Sequence, residues 1–160
     1  MRTADYALRP LTAADAPAMV ALLRDAFAEH AARLDPPPSA ARETAAAIAA
    51  ALAEGGGAGC EIGGALAGGV LWVERAGGLY MGRLAVAPAF RGRGLARALV
   101  AAAEAEARAR RLPRIHLSVR LPLTDNRRLF AACGFVETER HAHPGYATPT
   151  YVDMEKLLSP

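Results

Sequence analysis

Aromatic side chains are scarce, 6% of the 160 residues, and the arginines are spread along the chain rather than gathered in a block. Single-stranded nucleic acid is held on aromatic platforms along a basic groove, so both features argue against a nucleic-acid partner. Cysteine is nearly missing: Cys60 and Cys133 stand far apart, with no Cys-x-x-Cys pair and no histidine at ligand spacing. That excludes a disulfide framework and a zinc-type site, leaves no metal to expect, and makes both thiols ordinary core residues. Although 52% of the chain is apolar, alanine supplies much of it, and no unbroken run reaches the roughly 18 residues a membrane helix needs. The opening "MRTADYALRP" has an acid and a proline where a signal peptide has its apolar centre. The expectation is a cytoplasmic protein with no membrane partner.

What is present suits one domain over residues 1–160, since domains commonly run to about 100–150 residues. A net charge of +3 without a basic stripe points to a small anionic ligand. "DYALRP" (5–10) reads as a first strand, and Thr12 as the cap of a helix in which Met19, Leu22, Leu23 and Phe27 recur at helical spacing. The prolines of "LDPPPSA" (34–40) require a loop, after which Ser39 caps a second helix through Leu52 that "EGGGAG" (54–59) breaks. Three strands, 59–62, 66–73 and 79–86, form a meander joined by glycine-bearing turns. A helix over 94–111 puts Leu95 and Leu99 inward, followed by a strand over 114–119 and a short helix over 125–133 closed by Gly134. A last strand pair lies within 135–143 and 149–158. Strand, helix and strand from 79 to 119 make a βαβ unit, so strands four and five are parallel neighbours in a mostly antiparallel sheet of about seven strands, flanked by about four helices. The fold class is α+β.

The chemistry concentrates in "RLAVAPAFRGRGLARALV" (83–100). A glycine-rich turn opening a helix gathers unpaired N–H groups and the positive end of the helix dipole around one point, which suits phosphate. Gly92 and Gly94 keep side chains out of the way, and Arg91 and Arg93 add charge at the rim. A P-loop is excluded because no Gly-Lys-Ser/Thr follows. The dinucleotide fingerprint fails because its third glycine falls on Arg97.

Arg91, Gly92, Arg93, Gly94, Leu95 and Ala96, following a strand and Pro88, resemble the Arg/Gln-x-x-Gly-x-Gly/Ala signature of the GCN5-related N-acetyltransferase (GNAT) superfamily. The element order and the "LF…CGF" step at 129–135 extend that resemblance over nearly the whole chain. It implies acetyl-coenzyme A as co-substrate, with the amides of residues 91–96 on its pyrophosphate. The strand edge at Leu84 and Val86 would hold the pantetheine arm, a backbone N–H near Leu84 or Ala85 would meet the oxyanion, and Asn126 matches a cofactor-binding position. Pantetheine carries peptide-like groups, so a splayed strand edge can bond it as a pseudo-strand.

The resemblance also shows two departures. Tyr80 stands where many relatives carry a glutamate base, and Phe130 where many carry a tyrosine acid. The loop "RHAHPGYATPTY" (140–151) offers His143, which titrates near neutrality, and Tyr146, which can donate. Catalytic candidates are therefore Tyr146, His143 and Tyr80, with His116 and Glu61 weaker. The function expected is transfer of an acetyl group to a primary amine of a small molecule or peptide by direct attack in a ternary complex. The alternatives are an acyl-coenzyme A-binding module without turnover and an enzyme for longer acyl chains. The acceptor is not encoded in a motif, and the oligomeric state stays open, a homodimer included.

Overall fold

The computed structural model describes residues 6–159. Seven strands form one sheet in the order β1-β2-β3-β4-β5-β7-β6, antiparallel throughout except for β4 and β5. In chain order the elements are β1 (Ala7–Pro10), α1 (Ala16–Phe27), α2 (Ala45–Glu54), β2 (Gly56–Ile62), β3 (Ala65–Arg75), β4 (Gly78–Val86), α3 (Leu95–Ala109), β5 (Arg114–Arg120), α4 (Thr124–Ala132), β6 (Val136–His141) and β7 (Tyr151–Leu157). Asp5, included in the expected first strand, lies outside the described residues. Among the described residues no helix is long and apolar enough to cross a membrane.

Helices cover both faces. On one, α3 lays Leu95, Leu99, Val100, Ala103 and Ala107 on a core that includes Cys60, Val70, Leu79, Ile115, Val152 and Met154. On the other, Met19, Val20, Leu22 and Leu23 of α1 meet Ile48 and Leu52 of α2 over Leu71 and Ala85. Val70 and Leu71 fall in different cores because successive strand residues face opposite ways. Each fully buried leucine of this kind contributes about 1.5–3 kcal/mol by leaving water.

The local signals were partly displaced. Thr12 precedes a short 3-10 turn over residues 13–15, and its N–H donates to Asp15 Oδ2 at 2.7 Å, so Asp15 shares the capping. Ser39 does not cap α2. It opens a separate 3-10 turn over residues 39–42, and Thr44 takes the capping position, its Oγ1 accepting from the Ala47 N–H at 3.1 Å. Prolines just before Ser39 hold the chain extended, and Glu43 is extended again (φ −65°, ψ 143°), so the helix starts later.

The glycine run breaks the second helix as expected, α2 ending at Glu54 with Gly55 as its C-cap, but it also opens the next strand, because β2 already starts at Gly56. A Cβ on Gly57 would stand 2.5 Å from the Val70 carbonyl oxygen and 3.2 Å from methyls of Leu11 and Leu52, so the glycine is set by close packing rather than by a turn. Cys60 is fully buried in the core, while Cys133 at the end of α4 is half-buried and packs against its edge.

Candidate active site

Strands β4 and β5 pair only at Leu79–Ile115 and Tyr80–His116. From Met81 onward one edge of β4 has no strand partner, and the gap opens toward the start of α3. A bulge adds to the divergence: Gly69 pairs with Ala85 but Leu71 with Gly82, so β4 carries one extra residue. Arg83, at the bulge, has a φ of 52°. A left-handed non-glycine residue costs roughly 1–2 kcal/mol, and here an ion pair holds it: Arg83 Nε donates to Glu43 Oε1 at 2.8 Å.

One cleft of about 270 Å³ is bounded by Leu84, Ala85 and Val86 of β4, by Arg91 and Ala96, by the end of α1 with Glu29, and by Asp125, Asn126 and Phe130 of α4. Gly92 and Gly94 adopt φ of 79° and 81°, and a Cβ at either would meet nothing within 4 Å, so the turn conformation alone demands glycine. No N–H from residues 92–97 finds an acceptor among the described residues, and the first helical bond is Ala98 N–H to Gly94 O at 3.1 Å. A row of unpaired amides at a helix start, beside a cleft that Arg91 and Ala96 line, fits a pyrophosphate. Arg91 does not extend freely from the rim. Its guanidinium pairs with Glu29 and donates to the Ala26 carbonyl at 3.0 Å, and the arginine holds the Glu29 carboxyl below its usual range. Arg93 lies over the Phe90 ring at 5.3 Å. Asn126 borders the cleft and makes no side-chain bond to its own helix among the described residues.

A second cavity, about 650 Å³, continues along β4 through Tyr80, Gly82 and Arg83, with Phe27 common to both. Its other walls are Ser118, Val119 and Arg120 of β5, the proline segment 36–38, Arg42 and Glu43, and His143 and Tyr151. Tyr80 is sandwiched: its ring meets His116 edge-on at 5.4 Å and carries Arg75 at 4.6 Å from its centre. His143 Nδ1 bonds Thr150 Oγ1, and its ring lies edge-on to Tyr151 at 5.0 Å. Partial burial, aided by Arg120, pushes the His143 imidazole below its ordinary value, so it is neutral at pH 7. Tyr146 donates to Asp35, which raises its hydroxyl pKa, and it stands outside the cavity lining.

The acetyltransferase (GNAT) family matches residues 17–135 of this sequence. The chain belongs to that family. No curated protein matches it significantly. The GNAT fold recurs in solved structures of low sequence identity. The ribosomal-protein-S18-alanine N-acetyltransferase of Escherichia coli superposes with a TM-score of 0.78 at 19% identity, covering 97% of this chain and 95% of that one. PaiA N-acetyltransferase of Thermoplasma acidophilum, in complex with coenzyme A, gives 0.79 at 14% identity over 96% and 99%. Ard1 of Thermoplasma volcanium gives 0.80 at 17% over 98% and 99%.

Within this GNAT fold, the structure brings Leu84, Ala85, Val86, Arg91, Ala96 and Asn126 to one cleft and Tyr80 and His143 to the adjoining cavity. Gly92, Arg93, Gly94 and Leu95 are not among the walls of that cleft, and the Leu95 side chain is buried in the core beneath α3. His116 binds the Arg75 carbonyl at 2.8 Å, and Glu61 pairs with Arg9 at 3.0 Å, so neither lines the cavity. Sequence reasoning missed Glu29, Glu43, Arg83 and Arg120. They come from three distant segments, and only the register of the bulge and the course of the proline loop bring them to the site.

Proposed function

We propose that the protein transfers an acetyl group from acetyl-coenzyme A to a primary amine by direct attack in a ternary complex, in the cytoplasm. The observation that carries the reading is the unpaired amide row of residues 92–97 beside a cleft that Arg91, Ala96 and the partnerless edge of β4 line, with a second cavity on the other side of Phe27. The amides and Asn126 hold the cofactor's polar end. The free β4 edge at Leu84 and Val86 bonds its pantetheine arm, which leads the thioester toward the junction of the two cavities. The amine approaches from the larger cavity, and a β4 N–H near Leu84 or Ala85 stabilises the oxyanion, an effect worth about 10²–10³ in rate.

A primary amine with a pKa near 10.4 must shed a proton before attack. His143, neutral and facing the cavity, accepts it directly or through water, and Tyr80 orients the amine beside it. Phe130 has no proton to give, so the thiolate leaves unaided. A thiol of pKa about 8.5 makes that a modest loss at neutral pH. Tyr146 positions the loop through Asp35.

The test is calorimetric titration with coenzyme A together with thiol release from acetyl-coenzyme A across an amine panel. Binding with amine-dependent thiol release supports the reading, and absence of binding at millimolar cofactor overturns it. Phe130 in the acid slot favours one second reading, a cofactor-binding module without turnover, which predicts binding and no thiol release with any amine.

A further inference from the structure

The larger cavity has an unbalanced charge: Arg42, Arg75, Arg83 and Arg120 line it against a single carboxylate, Glu43. The arginines differ in what occupies them. Arg83 is spent on Glu43, and Arg75 lies over the Tyr80 ring. Arg120 donates from Nη2 to the Pro36 carbonyl at 2.5 Å, but its Nε is buried with no partner among the described residues. Arg42 is exposed and forms no ion pair among them. Glu43 shows the opposite case: its side chain is nine-tenths buried, Oε1 holds Arg83, and Oε2 is buried without a donor. Both atoms are shut off from water and unpaired on residues that line the cavity, which is costly, so a ligand whose arrival shifts either side chain gains a pairing that the cavity's own residues do not supply. Leu34, Leu123 and the prolines give the cavity an apolar side, and Tyr80, Ser118, His143 and Tyr151 a polar one.

We infer that the acceptor is a zwitterion: an amine that also carries an oxyanion, with an apolar body between or beside them, its ammonium recognised by Glu43 and its oxyanion by Arg120 and Arg42. The inference rests on the reading of this cavity as the acceptor side of an acetyltransferase. An amino-acid carboxylate and an amine-bearing phosphate share this chemistry, and the test separates them.

The chain saturated with coenzyme A is titrated calorimetrically at low salt with three matched pairs: phenylalanine against phenethylamine, methionine against its decarboxylated amine, and phosphoethanolamine against ethanolamine. The oxyanion-bearing member of at least one pair is expected to bind at least about tenfold tighter, a 1.4 kcal/mol difference. A preference in the first two pairs identifies a carboxylate, and one confined to the third a phosphate. Arg120→Gln should bring the ratio toward one while coenzyme A affinity stays native. Arg42→Gln, at an exposed position that threatens folding least, should reduce it severalfold. Ratios of one in all three pairs overturn the inference, as does a native ratio in both variants. Thiol release without any such preference overturns this inference and leaves the acetyltransferase reading standing. Oxyanion preference without thiol release does the reverse.

Discussion

Replacing Gly94 by alanine separates backbone strain from ligand binding, because the structure supplies a matched control. Gly94 has a φ of 81° and Gly77, in the hairpin between β3 and β4, a φ of 76°, and a Cβ on either meets nothing within 4 Å. Neither substitution clashes, so each costs about 1–2 kcal/mol of left-handed strain, offset by about 0.4–1 kcal/mol from the stiffer unfolded chain. A net loss of roughly 0.5–1 kcal/mol is expected for both in urea denaturation. Only Gly94 adjoins the unpaired amides that open α3. If those amides hold the pyrophosphate, relaxing the turn to a lower φ rotates them away, and Gly94→Ala should weaken coenzyme A by at least about tenfold, 1.4 kcal/mol, while Gly77→Ala leaves affinity native. Calorimetry on the two variants reads this directly. Equal affinities with equal stability losses would show that the turn is only a turn and refute the cofactor assignment.

Three further outcomes follow from the site. Glu29→Gln removes a carboxylate from the cofactor cleft and releases Arg91, so coenzyme A should bind about two- to fivefold tighter, as suits a solvent-exposed ion pair, with the gain fading in high salt; a loss of affinity in calorimetry would contradict it. Phe130→Tyr should keep turnover and raise it at pH 6 relative to pH 9, where protonating the thiolate helps least, whereas Tyr146→Phe should alter acceptor KM more than kcat, because that hydroxyl is bonded to Asp35 outside the cavity; a fall in kcat alone for Tyr146→Phe would move it into the chemistry. Burial lowers the pKa of both His116 and His143, so the unfolded chain takes up protons at higher pH than the folded one, and stability is lost as pH falls through and below about 6.5. Thermal denaturation from pH 7.5 to pH 5 should show that loss, reduced in His116→Gln, and an unchanged slope in that variant would exclude its imidazole.

Much of the fold was legible because its signals are local. The leucine spacing of α1 and α3 and the glycines at 92 and 94 are signals carried by neighbouring residues, and those elements formed within a few residues of where they were expected. Boundaries failed where tertiary packing overrode local preference. Glycine is a poor strand former by propensity, yet residues 56–59 join β2 because Leu11 and Leu52 press on a surface without side chains. Ser39 and Thr44 are both suitable helix caps, and the choice fell to the backbone that the prolines leave extended. The cofactor side was readable because a turn and a helix start are contiguous in sequence. In the larger cavity Tyr80 and His143 were readable, but Glu43 and Arg120 were not, because its walls come from distant segments that meet only after the sheet has formed.

The bulge in β4 ties these two halves together. Inserting one residue between Gly82 and Ala85 reverses which side chains face each side of the sheet, since strand residues alternate with period two. Before the bulge Tyr80, Gly82 and Arg83 border the larger cavity; after it Leu84, Ala85 and Val86 border the cofactor cleft. A β4 without the bulge would be free to continue its pairing with β5 past Tyr80 and narrow the gap between the two strands. Arg83 bears the left-handed strain of the bulge, and its ion pair with the buried Glu43 fixes the proline-flanked segment 36–43 against the same point. The strain and the ion pair therefore meet on one residue, at the point where β4 and β5 part, and the opening left there is the one the proposed acetyl transfer would use.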